Sequence, residues 1–371
     1  MKIQSIALHP LHIPFKVRFR HSSADRSVTQ SVLAIAETDR GYRGMGEGCP
    51  REYVTDENVK SSIRFIKKYE EKLRNQINSV GDLQQWVGDR EVDIDANPAA
   101  WCAVELAILD ALAKENSESV EQALGLPEVT GSFNYTAVLG DSEIKMFVPQ
   151  VARYAGFGFT DFKVKISGDP VVDNQKFAIV RDAVPEAQLR LDANNLWRDP
   201  KCALNYLKQV EGSLFALEEP LQAMEYDGLQ EIARVTEIPI ILDESFLNRH
   251  HFARISEDVD AFIINLRVSK MGGLIRSMQI AREAAETGIS LVVGAQVGET
   301  SILTRAALTV VNTYPDNVLA QEGAFGTLLL EQDVVEKPLM FGKKGQLDPS
   351  RLLDPSVYGW QMVYDFADEP T

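Results

Sequence analysis

The sequence predicts an α/β protein: a closed (β/α)8-type barrel, preceded by an α+β domain onto which the C-terminal tail folds back. Three observations predict it. Eight short β-rich bursts alternate with helical patterns from about residue 132 to residue 321, the first 128 residues lack that alternation, and successive bursts end in polar residues about one βα unit apart. The chain has 371 residues and 41.3 kDa, which suits a barrel with a smaller partner domain.

In residues 1–50, apolar bursts at 3–8 and 31–37 are separated by turn chemistry at Asp39-Arg40-Gly41 and at 44–48, the pattern of an antiparallel meander. Residues 57–78 and 99–114 carry apolar side chains at helical spacing. The second stretch is apolar almost all round, as expected of a helix buried between domains. Residues 1–128 are therefore read as one α+β domain.

The bursts of the next segment lie at 133–138, 162–166, 188–194, 215–219, 238–243, 261–268, 289–293 and 318–321, with helical patterns such as 171–182 and 274–287 between them. Eight units in so short a span fit a closed barrel, taken here as 129–330, better than an open doubly wound sheet. No G-x-G-x-x-G or G-x-x-x-x-G-K motif is present, so dinucleotide and P-loop functions have no support. The tail, 331–371, contains Gly342-Lys-Lys-Gly345 and several prolines, and is expected to return to the first domain.

Lys and Arg number 38 against 54 Asp and Glu, a net charge of 38 − 54 = −16. Such a surface repels phosphate backbones and anionic headgroups, so neither nucleic acid nor membrane is an expected partner. Cys49, Cys102 and Cys202 are too few and scattered for a disulfide framework or a thiolate metal site. With no signal-peptide pattern and no long apolar run, a cytoplasmic location is expected.

Barrel enzymes place their chemistry where strands end, and the polar residues there form a series. Lys163-x-Lys165, Asp192-x-Asn194, Glu218-Glu219-Pro220, Asp243-Glu244-Ser245 and Asn265-Leu266-Arg267 end consecutive bursts. Strand pleating puts Lys163 with Lys165, and Asp192 with Asn194, on the barrel interior. Three carboxylates on neighbouring strands repel one another unless a cation joins them, and an all-oxygen set favours Mg²⁺ over Zn²⁺, with Mn²⁺ as a substitute. Asp192, Glu218 and Asp243 are therefore the expected ligands, leaving positions for water and a small carboxylate substrate.

A lysine with an ordinary pKa of about 10.4 is no base at neutral pH. A lysine neighbour and partial burial are expected to bring one of the pair toward about 7–8. Metal and base together describe removal of a proton next to a carboxylate, with the cation holding the enediolate.

At these residues, together with Asn265-Leu-Arg-Val-Ser-Lys-Met-Gly-Gly273 and the ending from Gln321, the chain resembles the enolase superfamily in its muconate-lactonizing (muconate cycloisomerase) subgroup, over essentially its whole length. The resemblance implies a modified TIM barrel, an N-terminal capping domain completed by the C-terminal tail, and assembly as a homo-oligomer, dimer or octamer. It also implies that Lys165 is the acid/base and that Lys163 tunes it. Glu244 and Lys270 are expected to support the site from behind.

The subgroup normally carries a second catalytic lysine at the position of Arg267. Arginine stays protonated, so it is a poor base but a good cation for an enolate or carboxylate. This favours one-base chemistry, a cycloisomerase or a syn-dehydratase of the o-succinylbenzoate synthase kind. The alternatives are a dipeptide epimerase or N-acylamino acid racemase, and a catalytically retired protein that binds Mg²⁺ and a carboxylate.

The five histidines, His9, His12, His21, His250 and His251, leave none after the seventh burst, which removes the histidine base of the mandelate racemase subgroup. Ala320-Gln321-Glu322-Gly323 lacks the Asp-x-Asp that dipeptide epimerases bear there, although Glu322 is a substrate-binding candidate, as is Asn194. Specificity is expected from two capping-domain loops, 16–26 with Arg20 and 46–53 with Arg51 and Tyr53.

Overall fold

The computed structural model describes residues 2–21 and 24–365, with the side chains of 17–26 outside that description. Strands β1 (Ile3–Leu11), β4 (Ser31–Thr38) and β5 (Arg43–Gly48) form an antiparallel sheet in the order β1-β4-β5. Between β1 and β4 in sequence, β2 (Pro14–His21) and β3 (Ala24–Val28) make a separate two-stranded ladder, so the region is not one simple meander.

The turn signal at 39–41 holds, but 44–48 is strand rather than turn. Gly44, Gly46 and Gly48 alternate along β5 toward the helix Pro98–Asn116. A Cβ on them would fall 2.1 Å from the Ala107 carbonyl, 2.1 Å from that of Ala103 and 1.9 Å from that of Ala99. These glycines serve close backbone approach.

The helix Val59–Gln76 starts with a capping box between Asn58 and Ser61 and buries Phe65, Ile66, Tyr69 and Leu73 at helical spacing. The helix Pro98–Asn116 is buried on every face through Ala113, as its composition predicts. Both oxygens of Glu57 accept its first free N–H groups, from Ala99 and Ala100.

Strands β7 (Ala137–Leu139), β8 (Asp161–Lys165), β9 (Gln188–Asp192), β10 (Ala216–Glu218), β11 (Ile240–Leu242), β12 (Phe262–Leu266), β13 (Ser290–Val293) and β14 (Val318–Gln321) form one parallel sheet in sequence order. The Thr136 N–H donates to the Gln321 carbonyl at 2.8 Å, joining the two ends of this sheet. Helices connect each strand to the next, including Pro170–Ala183 and Leu274–Thr287 at the predicted places, whereas β14 leads into short 3₁₀ turns. This is a modified TIM barrel with a capping domain.

The first burst divides. Its start is β6 (Phe133–Asn134), which pairs antiparallel with β15 (Gln346–Leu347) of the tail, and only its end begins the barrel. The tail then reaches the capping domain, where Asp110 accepts the Trp360 N–H and the Tyr364 hydroxyl.

Ala216, Ile241, Ile263 and Val292 fill the lower barrel on one side. Lys163, Arg190 and Glu322 are buried in the interior on the other. Among the described residues no helix is long and apolar enough to cross a membrane.

Candidate active site

Parallel register fixes the site. Lys165 pairs with Asp192, and Asp192 with Glu218, so the strand ends stand side by side. Lys163, Asp192, Glu218 and Asp243 are each no more than 3 % exposed. Lys163 Nζ lies 2.7 Å from Glu218 Oε2, 3.3 Å from Asp192 Oδ2 and 3.4 Å from Glu322 Oε2. Lys165 Nζ shares the same Asp192 oxygen at 3.3 Å and donates to Asn194 Oδ1 at 2.6 Å.

Opposite, Arg267 Nη2 lies 2.5 Å from Asp243 Oδ2 and 3.8 Å from Glu218 Oε1. Lys270 Nζ donates to Asp243 Oδ1 at 2.9 Å and to the Asp243 and Asn265 carbonyls. It sits on the short helix Val268–Met271, which brings it to Asp243.

The electrostatics follow from burial among opposite charges. Against burial, Asp192 and Glu218 hold Lys163 above its ordinary value, so Lys163 keeps its proton. Against burial, Lys163 and Lys165 hold Asp192 down, and Arg267 with Lys270 does the same for Asp243. Burial pushes Glu218 up to about 7, Lys163 pulling the other way. Burial with the Asp243 and Glu219 charges drives Glu244 well above the carboxylate range.

Glu219 adopts φ +40, a left-handed conformation that a glutamate rarely occupies. Its carboxylate accepts the Asp243 and Ser245 N–H groups at 2.6 and 2.7 Å and thereby aligns neighbouring strand ends.

Several expected substrate contacts are occupied by the protein itself. Both Glu322 oxygens face protein cations, Lys163 and, at 3.4 Å, Arg190 Nη1. The Asn194 amide oxygen holds Lys165. Arg51 is 1 % exposed, and its Nη groups donate to the Gln30, Pro50 and Val297 carbonyls. It therefore ties the capping domain to the loop after β13 and does not present a free guanidinium to substrate. Tyr53 is at the surface, 38 % exposed. The side chain of Arg20, like the others of 17–26, lies outside the description.

Sequence reasoning missed Arg190 and Gln296, and it placed Asn265 in the strand-end series without giving it a role; Asn265 donates to Glu218 Oε1 at 3.1 Å. Arg190 stands two residues before Asp192, so the same pleating argument points it inward.

Among the described residues no three acidic, histidine or cysteine side chains close around a common point to hold a metal. The donor set nevertheless suits a hard divalent cation. Three buried carboxylates end adjacent strands and are linked through shared cations, Lys163 between Asp192 and Glu218 and Arg267 between Glu218 and Asp243. Glu218 Oε2 is buried, and the charge that faces it is the Lys163 ammonium at 2.7 Å.

Residues 147–350 match the family model described as enolase C-terminal domain-like. N-succinyl-L-Arg/Lys racemase of Bacillus cereus is 25 % identical over 341 residues, 90 % of each chain. Muconate cycloisomerase 1 of Acinetobacter baylyi is 26 % identical, covering 84 % of this chain and 85 % of its own. The fold is shared with the crystal structure of dipeptide epimerase from Enterococcus faecalis V583 complexed with Mg and the dipeptide L-Leu-L-Tyr. The TM-score is 0.81 at 22 % identity, over 94 % of this chain and 97 % of that one.

Proposed function

Because the chain belongs to the enolase C-terminal domain-like family, we propose that it is a Mg²⁺-dependent enzyme in which Lys165 removes the α-proton of a carboxylate substrate. The substrate is an N-acylated amino acid or a dipeptide, and the outcome is inversion at the α-carbon. The observation that carries this reading is the division of labour in the lysine pair. Lys163 is closed off by three carboxylates, while Lys165, at 9 % exposure, is the more open amine. The racemase and epimerase relatives supply the substrate class.

Asp192, Glu218 and Asp243 would hold Mg²⁺, or Mn²⁺ in its place. The ion supplies positive charge to the substrate carboxylate as the α-carbon becomes electron-rich. Lys165 Nζ, oriented by Asn194 Oδ1, accepts the proton on one face; inversion then requires that the new proton reach the α-carbon from the opposite face, whereas return from the Lys165 ammonium retains configuration. Lys163 keeps its charge and holds Asp192 and Glu218 in place.

Arg267 favours a second outcome at the same site. Against burial, Asp243 and Glu218 raise its already high pKa, so it cannot serve as a base on the opposite face. Proton removal and return would then use one face, as in a cycloisomerase or syn-dehydratase.

Incubation with Mg²⁺ in heavy water, with a panel of dipeptides and N-succinyl amino acids, tests the proposal by NMR and polarimetry. Deuterium at the α-carbon with loss of optical rotation supports inversion. Exchange without inversion, or loss of water, supports the one-face outcome. No exchange with any member leaves a binding protein.

A further inference from the structure

Arg267 is bonded less fully than its burial requires. It is 8 % exposed, yet among the described residues Nε has no hydrogen-bond partner, and beyond Asp243 and Glu218 its one hydrogen bond there runs from Nη1 to Gln296 Oε1 at 3.3 Å. Buried polar groups are ordinarily satisfied. Gly294, directly after β13, lets Arg267 and Asn265 pack close over its backbone. A Cβ there would fall 3.2 Å from Arg267 Cγ and 2.1 Å from Asn265 Oδ1.

Charge points the same way. Asp192, Glu218 and Asp243 are met by four protein cations, Lys163, Lys165, Arg267 and Lys270. A divalent ion gains these ligands only if a protein cation withdraws. Lys163 is locked among three carboxylates, and Lys270 Nζ has three oxygens within 2.9 Å. Lys165 meets only Asp192 of the three and is the proposed base, so Arg267, which faces both Asp243 and Glu218 and has an idle Nε among the described residues, is the cation placed to withdraw.

We propose that Arg267 is an internal counter-cation that a divalent metal displaces from Asp243 and Glu218, and that the released guanidinium then binds a carboxylate of the substrate. Metal enters first and the anion second, the anion balancing the added charge. The inference rests on the reading of Asp192, Glu218 and Asp243 as metal ligands.

Calorimetric titration of Mg²⁺ into the wild type and Arg267→Met, followed by succinate into each Mg²⁺-saturated protein, tests it. The expected result is opposite movement: Mg²⁺ binds the variant at least about tenfold more tightly, and succinate at least about tenfold more weakly. Unchanged or weaker Mg²⁺ binding, or unchanged succinate binding, overturns the inference while leaving the ligand assignment standing. If neither protein takes up Mg²⁺, the ligand assignment itself fails and takes the inference with it. Should the variant not fold, phenylglyoxal labelling of the wild type, mapped by mass spectrometry, decides. Mg²⁺ is expected to speed modification of Arg267, and an unchanged or slower rate overturns the displacement.

Discussion

Asp173 receives the backbone N–H of Ser167 through both carboxylate oxygens, at 3.1 and 3.0 Å. The same carboxylate accepts the Ser167 hydroxyl, the Gly168 N–H and the Tyr206 hydroxyl, each at 3.0 Å. It thereby fastens the turn that begins directly after Lys165. Asp173→Asn is expected to lower stability by about 2–3 kcal/mol in urea unfolding, because buried donors lose their acceptor. With a substrate in hand, kcat is expected to fall more than KM changes, since the position of Lys165 and not substrate affinity is disturbed.

Lys165→Met is expected to reduce α-proton exchange by about 10³-fold or more, the usual range for a lost acid/base. Mg²⁺ affinity, measured by calorimetry, should change little beside that loss. Exchange that survives in the variant would move the base elsewhere.

Chelation should abolish exchange, and Mg²⁺ should restore it. Because the ion binds the folded chain, saturating Mg²⁺ at about 100 times its Kd should add about 2.7 kcal/mol of stability. A thermal melt independent of Mg²⁺ would contradict the ligand assignment.

Burial pushes Glu47 up from 4.5 to about 7, with the Asp333 charge adding to it and hydrogen bonds from Thr300 opposing it. The folded pKa lies above the unfolded one, so the folded chain binds the proton more tightly. That stabilisation is whole below about 4.5 and is lost as pH rises through about 7. Glu47→Gln stays neutral and should flatten the fall in stability between about pH 5 and about pH 8, by on the order of 3 kcal/mol. Urea midpoints across that window check it.

Gly46→Ala is expected to cost at least about 3 kcal/mol, since its Cβ meets helix backbone and not a flexible side chain. Gly88→Ala, with nothing within 4 Å of the added atom, is the matched control. Thermal denaturation of the pair reads the difference.

The barrel and its strand-end residues were legible because parallel strands impose a period of two along each strand and about 25 residues between strands. Lys163, Lys165, Asp192, Glu218, Asp243 and Arg267 accordingly come together. What stayed hidden depends on contacts between segments far apart in sequence. Glu47 accepts the Thr300 N–H and hydroxyl, and Arg51 donates to Val297. No local pattern announces either bond, so Arg51 reads as a loop charge and 44–48 as a turn. Glu322 and Asn194 lie where expected, but sequence alone does not reveal that Lys163, Arg190 and Lys165 already occupy them.

Asp110, in the middle of the helix Pro98–Asn116, accepts the Met45 N–H from the first sheet and the Trp360 N–H and Tyr364 hydroxyl from the tail. On the ribosome, Met45 emerges early and Trp360 late. The capping domain is therefore made first and finished last: its buried aspartate has Met45 early but waits for Trp360 and Tyr364 until the whole barrel has been translated. A polypeptide stalled before residue 360 would carry a barrel with a lid whose interior is still open.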